Sequence, residues 1–161
     1  MNFPKRLALV AAFALAASHA TAADDSQSSK NFLQKWAKSW QTSDADKMMS
    51  FYDSAKETVA VESLGHIRKG PAEIRKMYQG AFDELIFDRV SLTPITQGQH
   101  GSVAWATCRY KAEIRLKSDN TKYVLEVRGS FLMKQEKETW KITLEHFSTI
   151  PDIPRVRPAE K

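Results

Sequence analysis

From residue 31 onward the apolar positions fall first at helical and then at strand spacing. In NFLQKWAKSWQ, Phe32, Trp36 and Trp40 recur every fourth residue with Leu33 and Ala37 beside them, which is one face of an amphipathic helix. TSDADKMMSFY follows with Ser43 as an N-cap, Asp46 three residues on, and then Met48, Met49, Phe51 and Tyr52, which predicts a short second helix. The period drops to two in ETVAVES, a strand pattern rich in β-branched residues. A third helix is predicted from Pro71, where a missing N–H costs nothing at the first helical position, and Ile74, Met77, Tyr78 and Ala81 form its stripe. The rest is strand-rich, over 86–97, 102–116, 122–134 and 138–149, with QGQHG, SDN and QEKE as turns. At the ends, DDSQSSK reads as a loose polar leader into the first helix. PDIPRVRPAEK, with three prolines in eight residues, reads as an extended or disordered tail. About three helices followed by antiparallel strands, without βαβ alternation, specify an α+β fold in which the helices pack on one face of a curved antiparallel sheet.

The last predicted strand, WKITLEHFSTIP, carries polar groups where its pattern should settle. Strict alternation puts Trp140, Ile142, Leu144, His146 and Ser148 on one face and Glu145 and Phe147 on the other. On that parity a core stripe ends in the imidazole of His146, and Glu145 faces away from it.

The first 22 residues stand apart from these patterns. They have a basic start at Lys5 and Arg6, an apolar run from Leu7 to Ala17, and small residues at Ala20 and Ala22. That is the anatomy of a secretory signal peptide cleaved before Ala23. Its run is shorter than the roughly 20 apolar residues a spanning helix needs, and no cysteine follows it to carry a lipid, so no stable membrane anchor is expected. The expected organisation is a signal peptide over 1–22, one domain over 23–151 and a proline-rich tail over 152–161. The mature protein would lie in the periplasm or outside the cell. The single cysteine, Cys108, rules out an internal disulfide and sits in a strand pattern as a small apolar residue. The formal charge of +5 drops by two when Lys5 and Arg6 leave, and the remaining charges alternate in sign, so no nucleic-acid surface is expected.

The succession of helix, short helix, strand, GHIRKGPAEIRKMY and long strands, closing on GSVAWATCRY and WKITLEHFS, resembles the nuclear transport factor 2-like superfamily over residues 30–151. Within it the nearest likeness is to SnoaL-like and ketosteroid-isomerase-related proteins; the closing pair of strands also resembles the association domain of calcium/calmodulin-dependent protein kinases. The resemblance implies a cone-shaped curved antiparallel sheet with the helices on its concave face, a cavity inside, and a homodimer through the sheet's outer face. The superfold hosts isomerases, dehydratases, hydrolases and scaffolds, so it implies no single activity. Set against ketosteroid isomerase, Trp36 stands at the position of the catalytic tyrosine, and Ser63 stands at the position of the base, with Glu62 one residue early. Steroid isomerisation is therefore not the expected activity.

The candidate chemistry gathers around the implied cavity. His146 is the candidate acid/base and ligand-contacting group, because a neutral imidazole suits proton transfer near pH 7. Arg109 and Arg128 lie on partly apolar strand faces, and related proteins carry arginines into the cavity from comparable strands. A guanidinium there suits capture of a carboxylate. Trp36, Tyr52 and Glu62 complete the expected ligand-binding set. Tyr78 and Tyr110 read as core residues whose phenols could serve as donors, and His66 and Arg68 read as a loop at the rim. Neither a metal site nor a cofactor is expected, since HExxH, CxxC, GxSxG and glycine-rich phosphate loops are absent from the sequence. The expectation is a small-molecule-binding dimer taking an anionic or amphipathic ligand. The alternatives are an isomerase or dehydratase using His146, and an assembly module.

Overall fold

The computed structural model describes residues 22–159. The predicted signal peptide, apart from Ala22, lies outside the described residues. Helix α1 spans Ala22–Ser39 and continues into one 3-10 turn, Trp40–Thr42. DDSQSSK is part of α1 instead of a loose leader; it contains neither glycine nor proline to stop a helix. Helix α2 (Ala45–Met49) is capped by Asp44 and not by Ser43. Asp44 has extended backbone and its Oδ1 accepts from the Lys47 N–H at 3.0 Å, whereas Ser43 takes a left-handed conformation. Strand β1 (Val59–Val61) turns through Gly65 into β2 (Ile67–Lys69), so the segment read as a rim loop is half of a hairpin. Helix α3 (Pro71–Glu84) starts at the expected proline and buries Ile74, Tyr78 and Phe82 at four-residue spacing.

The four long strands are β3 (Leu85–His100), β4 (Val103–Leu116), β5 (Lys122–Glu136) and β6 (Thr139–Ser148). The sheet runs β2-β1-β6-β5-β4-β3. Every neighbouring pair is antiparallel except β1 and β6, which are parallel. The sheet is therefore mixed, not wholly antiparallel, because the chain returns to β1 only after α3 and three long strands. Pro94 sits in β3, an edge strand where no outer ladder bond is lost, and register shifts near Asp88 and Ile95 help to bend the sheet.

The helices cover the concave face. The inward residues of β4 include Ala104, Ala106, Cys108 and Ala112, all buried, and these small side chains leave room for the aromatic face of α1. Trp36 packs with its ring centre 5.0 Å from Phe131 and 6.2 Å from Tyr110. Gly129 in β5 marks a close approach: a Cβ there would lie 2.9 Å from a carbon of the Phe147 ring.

One irregularity decides the site. Leu132 pairs with Leu144, but Met133 pairs with Ile142, so Thr143 is an extra residue in β6, and its hydroxyl donates to the Leu132 carbonyl at 3.1 Å. A one-residue bulge exchanges the two faces of everything beyond it. Trp140 and Ile142 are buried before the bulge, and Glu145 is buried after it, while Leu144 and His146 are exposed. The assignment of His146 to the core stripe is thereby corrected: the imidazole points outward and Glu145 points in.

The proline-rich tail is held to the sheet. Val156–Pro158 forms β7 and pairs with Tyr123–Leu125 of β5, beyond the point where β6 ends. Arg157 reaches Glu126 at 2.8 Å.

Candidate active site

Glu145 lies mid-sheet, between Ala60 of β1 and Phe131 of β5, and is 1% exposed. A carboxylate in that position requires hydrogen-bond partners, because desolvation disfavours its charge. The partners come from two elements distant in sequence. Tyr52, at the end of the α2 turn, donates to Glu145 Oε2 at 2.5 Å. Its hydroxyl also hydrogen bonds to that of Tyr78 from α3, and it accepts from Trp36 Nε1 of α1 at 3.3 Å. Burial pushes the Glu145 carboxyl up to about 7, opposed by the Tyr52 and Tyr78 hydroxyls and reinforced by the negative charge of Glu62. Burial and the charge of Glu145 hold the Tyr52, Tyr78 and Tyr110 phenols well above their ordinary value, so all three keep their protons.

The chain Trp36–Tyr52–Glu145/Tyr78 is satisfied in two ways. With Glu145 ionised, Tyr52 donates to it and Tyr78 donates to Tyr52. With Glu145 protonated, the acid can donate to Tyr52 and Tyr52 to Tyr78, which frees the Tyr78 O–H. The Trp36 N–H fills one lone pair of Tyr52 in either case. The proton on Glu145 therefore sets whether Tyr78 is a donor or an acceptor toward its other side.

That other side is a pocket of about 450 Å³ between α3 and the sheet. Its deep wall holds Trp40, Tyr78, Tyr110 and Glu145, and its outer wall includes Met77, Ala81 and Phe147. The size is within the usual range of small-molecule sites. Two deep polar groups, Trp40 Nε1 and Tyr110 Oη, are buried without a hydrogen-bond partner among the described residues. Their rings lie 5.9 Å apart, and the Trp40 ring is 5.0 Å from that of Tyr78, so the three side chains pack together in one wall. A second, larger groove of about 700 Å³ lies near β7 and is lined largely by charged side chains such as Asp88, Lys111 and Arg115. Glu145, Tyr78 and Tyr110 line the smaller one.

The residues expected from the sequence separate. Glu62 lines the pocket, paired with Arg68 at 2.7 Å. Tyr52 and Trp36 are buried behind it and act on it through Glu145, not by lining it. Arg109 and Arg128 are corrected: both are exposed on the outer face, opposite one another in register, and Arg109 pairs with Glu126 at 3.1 Å. The inward positions of those strands belong to Tyr110, Val127 and Gly129, one residue out of phase. His146 is outside the pocket, opposite Ser130 on β5 and Val61 on β1. Trp40 and Glu145 enter the sequence reading only as pattern residues of a helix and a strand, and Arg155 only as part of the tail. A signal for Glu145 was present: Trp140, Ile142 and Phe147 cannot share an apolar face unless one extra residue intervenes.

A family model described as the SnoaL-like domain matches residues 30–153. No curated protein matches the chain. Among solved structures, a ketosteroid isomerase-like protein from Erwinia carotovora atroseptica is 13% identical, with a TM-score of 0.69 over 79% of this chain and 97% of its own. A nuclear transport factor 2-like superfamily protein from Salmonella enterica is 15% identical, with a TM-score of 0.68 over 86% of this chain and 94% of its own. A candidate dehydratase from Streptomyces avermitilis is 12% identical, with a TM-score of 0.66 over 80% and 97%. At these identities the likeness is one of fold.

Proposed function

The chain belongs to the SnoaL-like domain family, and from that premise we propose that it is an acid–base enzyme of the isomerase or dehydratase type acting on a small carbonyl or hydroxyl compound. The observation that carries the reading is Glu145, buried beside a pocket, pushed up to about 7 and joined through Tyr52 to Tyr78. A carboxyl titrating near neutral pH both gives and takes a proton at the working pH. Trp40 Nε1 and Tyr110 Oη hold the ligand oxygen, which satisfies two buried groups that otherwise have no partner. Polarised in this way, the ligand loses a proton from the neighbouring carbon, or gains one at its oxygen, through the Tyr78–Tyr52–Glu145 chain. The names of similar structures, isomerase-like and dehydratase, are compatible with this class of reaction.

The test is hydrogen–deuterium exchange. Cyclic ketones and 2-oxo acids are incubated with protein in deuterated buffer, and loss of the α-proton signal is followed by NMR. Exchange above the buffer rate should fall at least about tenfold in Glu145→Gln and in Tyr78→Phe. Exchange that persists in Glu145→Gln, or no exchange with any compound, refutes the acid–base reading. The pocket would then be one that binds without turnover.

The proposal includes export, on the strength of the sequence of residues 1–22, and a homodimer. The dimer reading rests on the outer face of the sheet, where Trp105, Leu132 and Leu144 stand side by side in register, 45%, 41% and 38% exposed. A contiguous apolar row of this kind on a sheet is a pairing surface.

A further inference from the structure

The cations lining the pocket differ in whether they are already engaged. Arg68 is paired with Glu62 at 2.7 Å and Lys76 with Glu73 at 2.8 Å. Arg155 also lines the pocket and is half-buried, yet its guanidinium has no hydrogen bond or ion pair among the described residues. Its backbone, by contrast, is well anchored. The Arg155 carbonyl accepts from the Glu126 N–H at 2.8 Å, β7 begins at the next residue, and Arg157 is bound to Glu126. A fixed backbone carrying a free, half-desolvated guanidinium at a pocket is suited to holding an anion.

None of the acids lining the pocket forms an ion pair with Arg155. Glu62 and Glu73 have their own cations, and Glu145 is buried among hydroxyls. Glu84 is the remaining carboxylate of the lining; it is exposed at the last residue of α3. Arg155 lies two residues past the end of the SnoaL-like match, in the C-terminal segment that leads into β7.

Building on the acid–base reading of the pocket, we propose that Arg155 binds the carboxylate of the substrate, which makes the substrate an oxo or hydroxy acid with an apolar body. The carboxylate meets Arg155 near the pocket's edge, the apolar body lies against Met77, Ala81 and Phe147, and the oxygen reaches Trp40 and Tyr110. Arg155 takes the role that the sequence pattern assigns to Arg109 and Arg128, which face outward.

The experiment compares 3-oxocyclohexanecarboxylate with its methyl ester, by calorimetric binding and by α-proton exchange, on wild type, Arg155→Ala and Arg155→Lys. The acid should bind wild type roughly tenfold more tightly than the ester, the lower end for a charge-assisted pair at a half-exposed group. Arg155→Ala should abolish that preference and leave ester binding unchanged, and Arg155→Lys should restore part of it. Equal binding of acid and ester, or a preference that survives in Arg155→Ala, overturns the assignment of Arg155 whether or not exchange occurs. An Arg155-dependent preference without any exchange supports the assignment and refutes proton transfer instead. Failure of both compounds to bind overturns both.

Discussion

Replacing Glu145 by Gln should flatten the pH dependence of stability, in a direction and by an amount fixed by its burial. The folded protein holds the Glu145 proton up to about pH 7, while the unfolded chain releases it near the ordinary value of 4.5. Between those values the native state binds more protons than the unfolded one, so stability falls as pH rises. The contribution is full below pH 4.5, is lost as pH rises to 7, and changes no further above that. The separation corresponds to a total of about 3 kcal/mol, of which roughly 2–3 kcal/mol is lost between pH 5 and pH 8. Gln fills nearly the same volume and still accepts from Tyr52 but does not ionise. Urea unfolding of both proteins at pH 5, 6, 7 and 8 isolates the effect, because every other titrating group is shared and cancels in the difference. Glu145→Gln should gain on wild type by roughly 2–3 kcal/mol from pH 5 to pH 8. A difference that stays constant across that range would falsify the placement of an ionisable carboxyl in a dry interior.

Other perturbations test the parts around it. Tyr52→Phe removes the donor to Glu145 and the acceptor for Trp36 Nε1; it should cost about 1–3 kcal/mol in urea unfolding and move the Glu145 titration upward, since that donor opposes the rise. Deleting Thr143 removes the bulge and forces either Glu145 or Ile142 out of the core, so the variant should lose its cooperative melt by circular dichroism; a native-like melt would refute the register. Burial pushes the Cys108 thiol to about 12, so its reaction with a disulfide reagent should be at least about 100-fold slower in native protein than in urea. Leu132→Lys puts a charge in the middle of the apolar row and should convert a dimer to a monomer by sedimentation; an unchanged state places the interface elsewhere.

Much of the framework follows from the sequence alone. The four-residue spacing of Phe32, Trp36 and Trp40 marks the face by which α1 and the 3-10 turn after it meet the core, Pro71 opens α3 where its missing N–H is harmless, and the four long strands fall within a few residues of their alternation patterns. These are local or periodic properties, and backbone geometry expresses them without reference to distant residues. The faces were decided by tertiary structure. Alternation states which residues share a face of β4 or β5 but not which face meets the helices, so Arg109 and Arg128 were assigned to the interior and lie outside it. In β6 even the sharing was altered, because Thr143 bulges where the strand passes Leu132, and one added residue turned Glu145 inward and His146 outward. The carboxyl, Tyr52, Tyr78 and Trp36 come from four elements spread over more than a hundred residues, and only packing brings them within hydrogen-bonding reach. Residue types and spacings supply the candidates for the chemistry. Which of them is dry, paired and beside a pocket depends on contacts between residues far apart in the chain, and those contacts set both the charge state of Glu145 and the reach of Arg155.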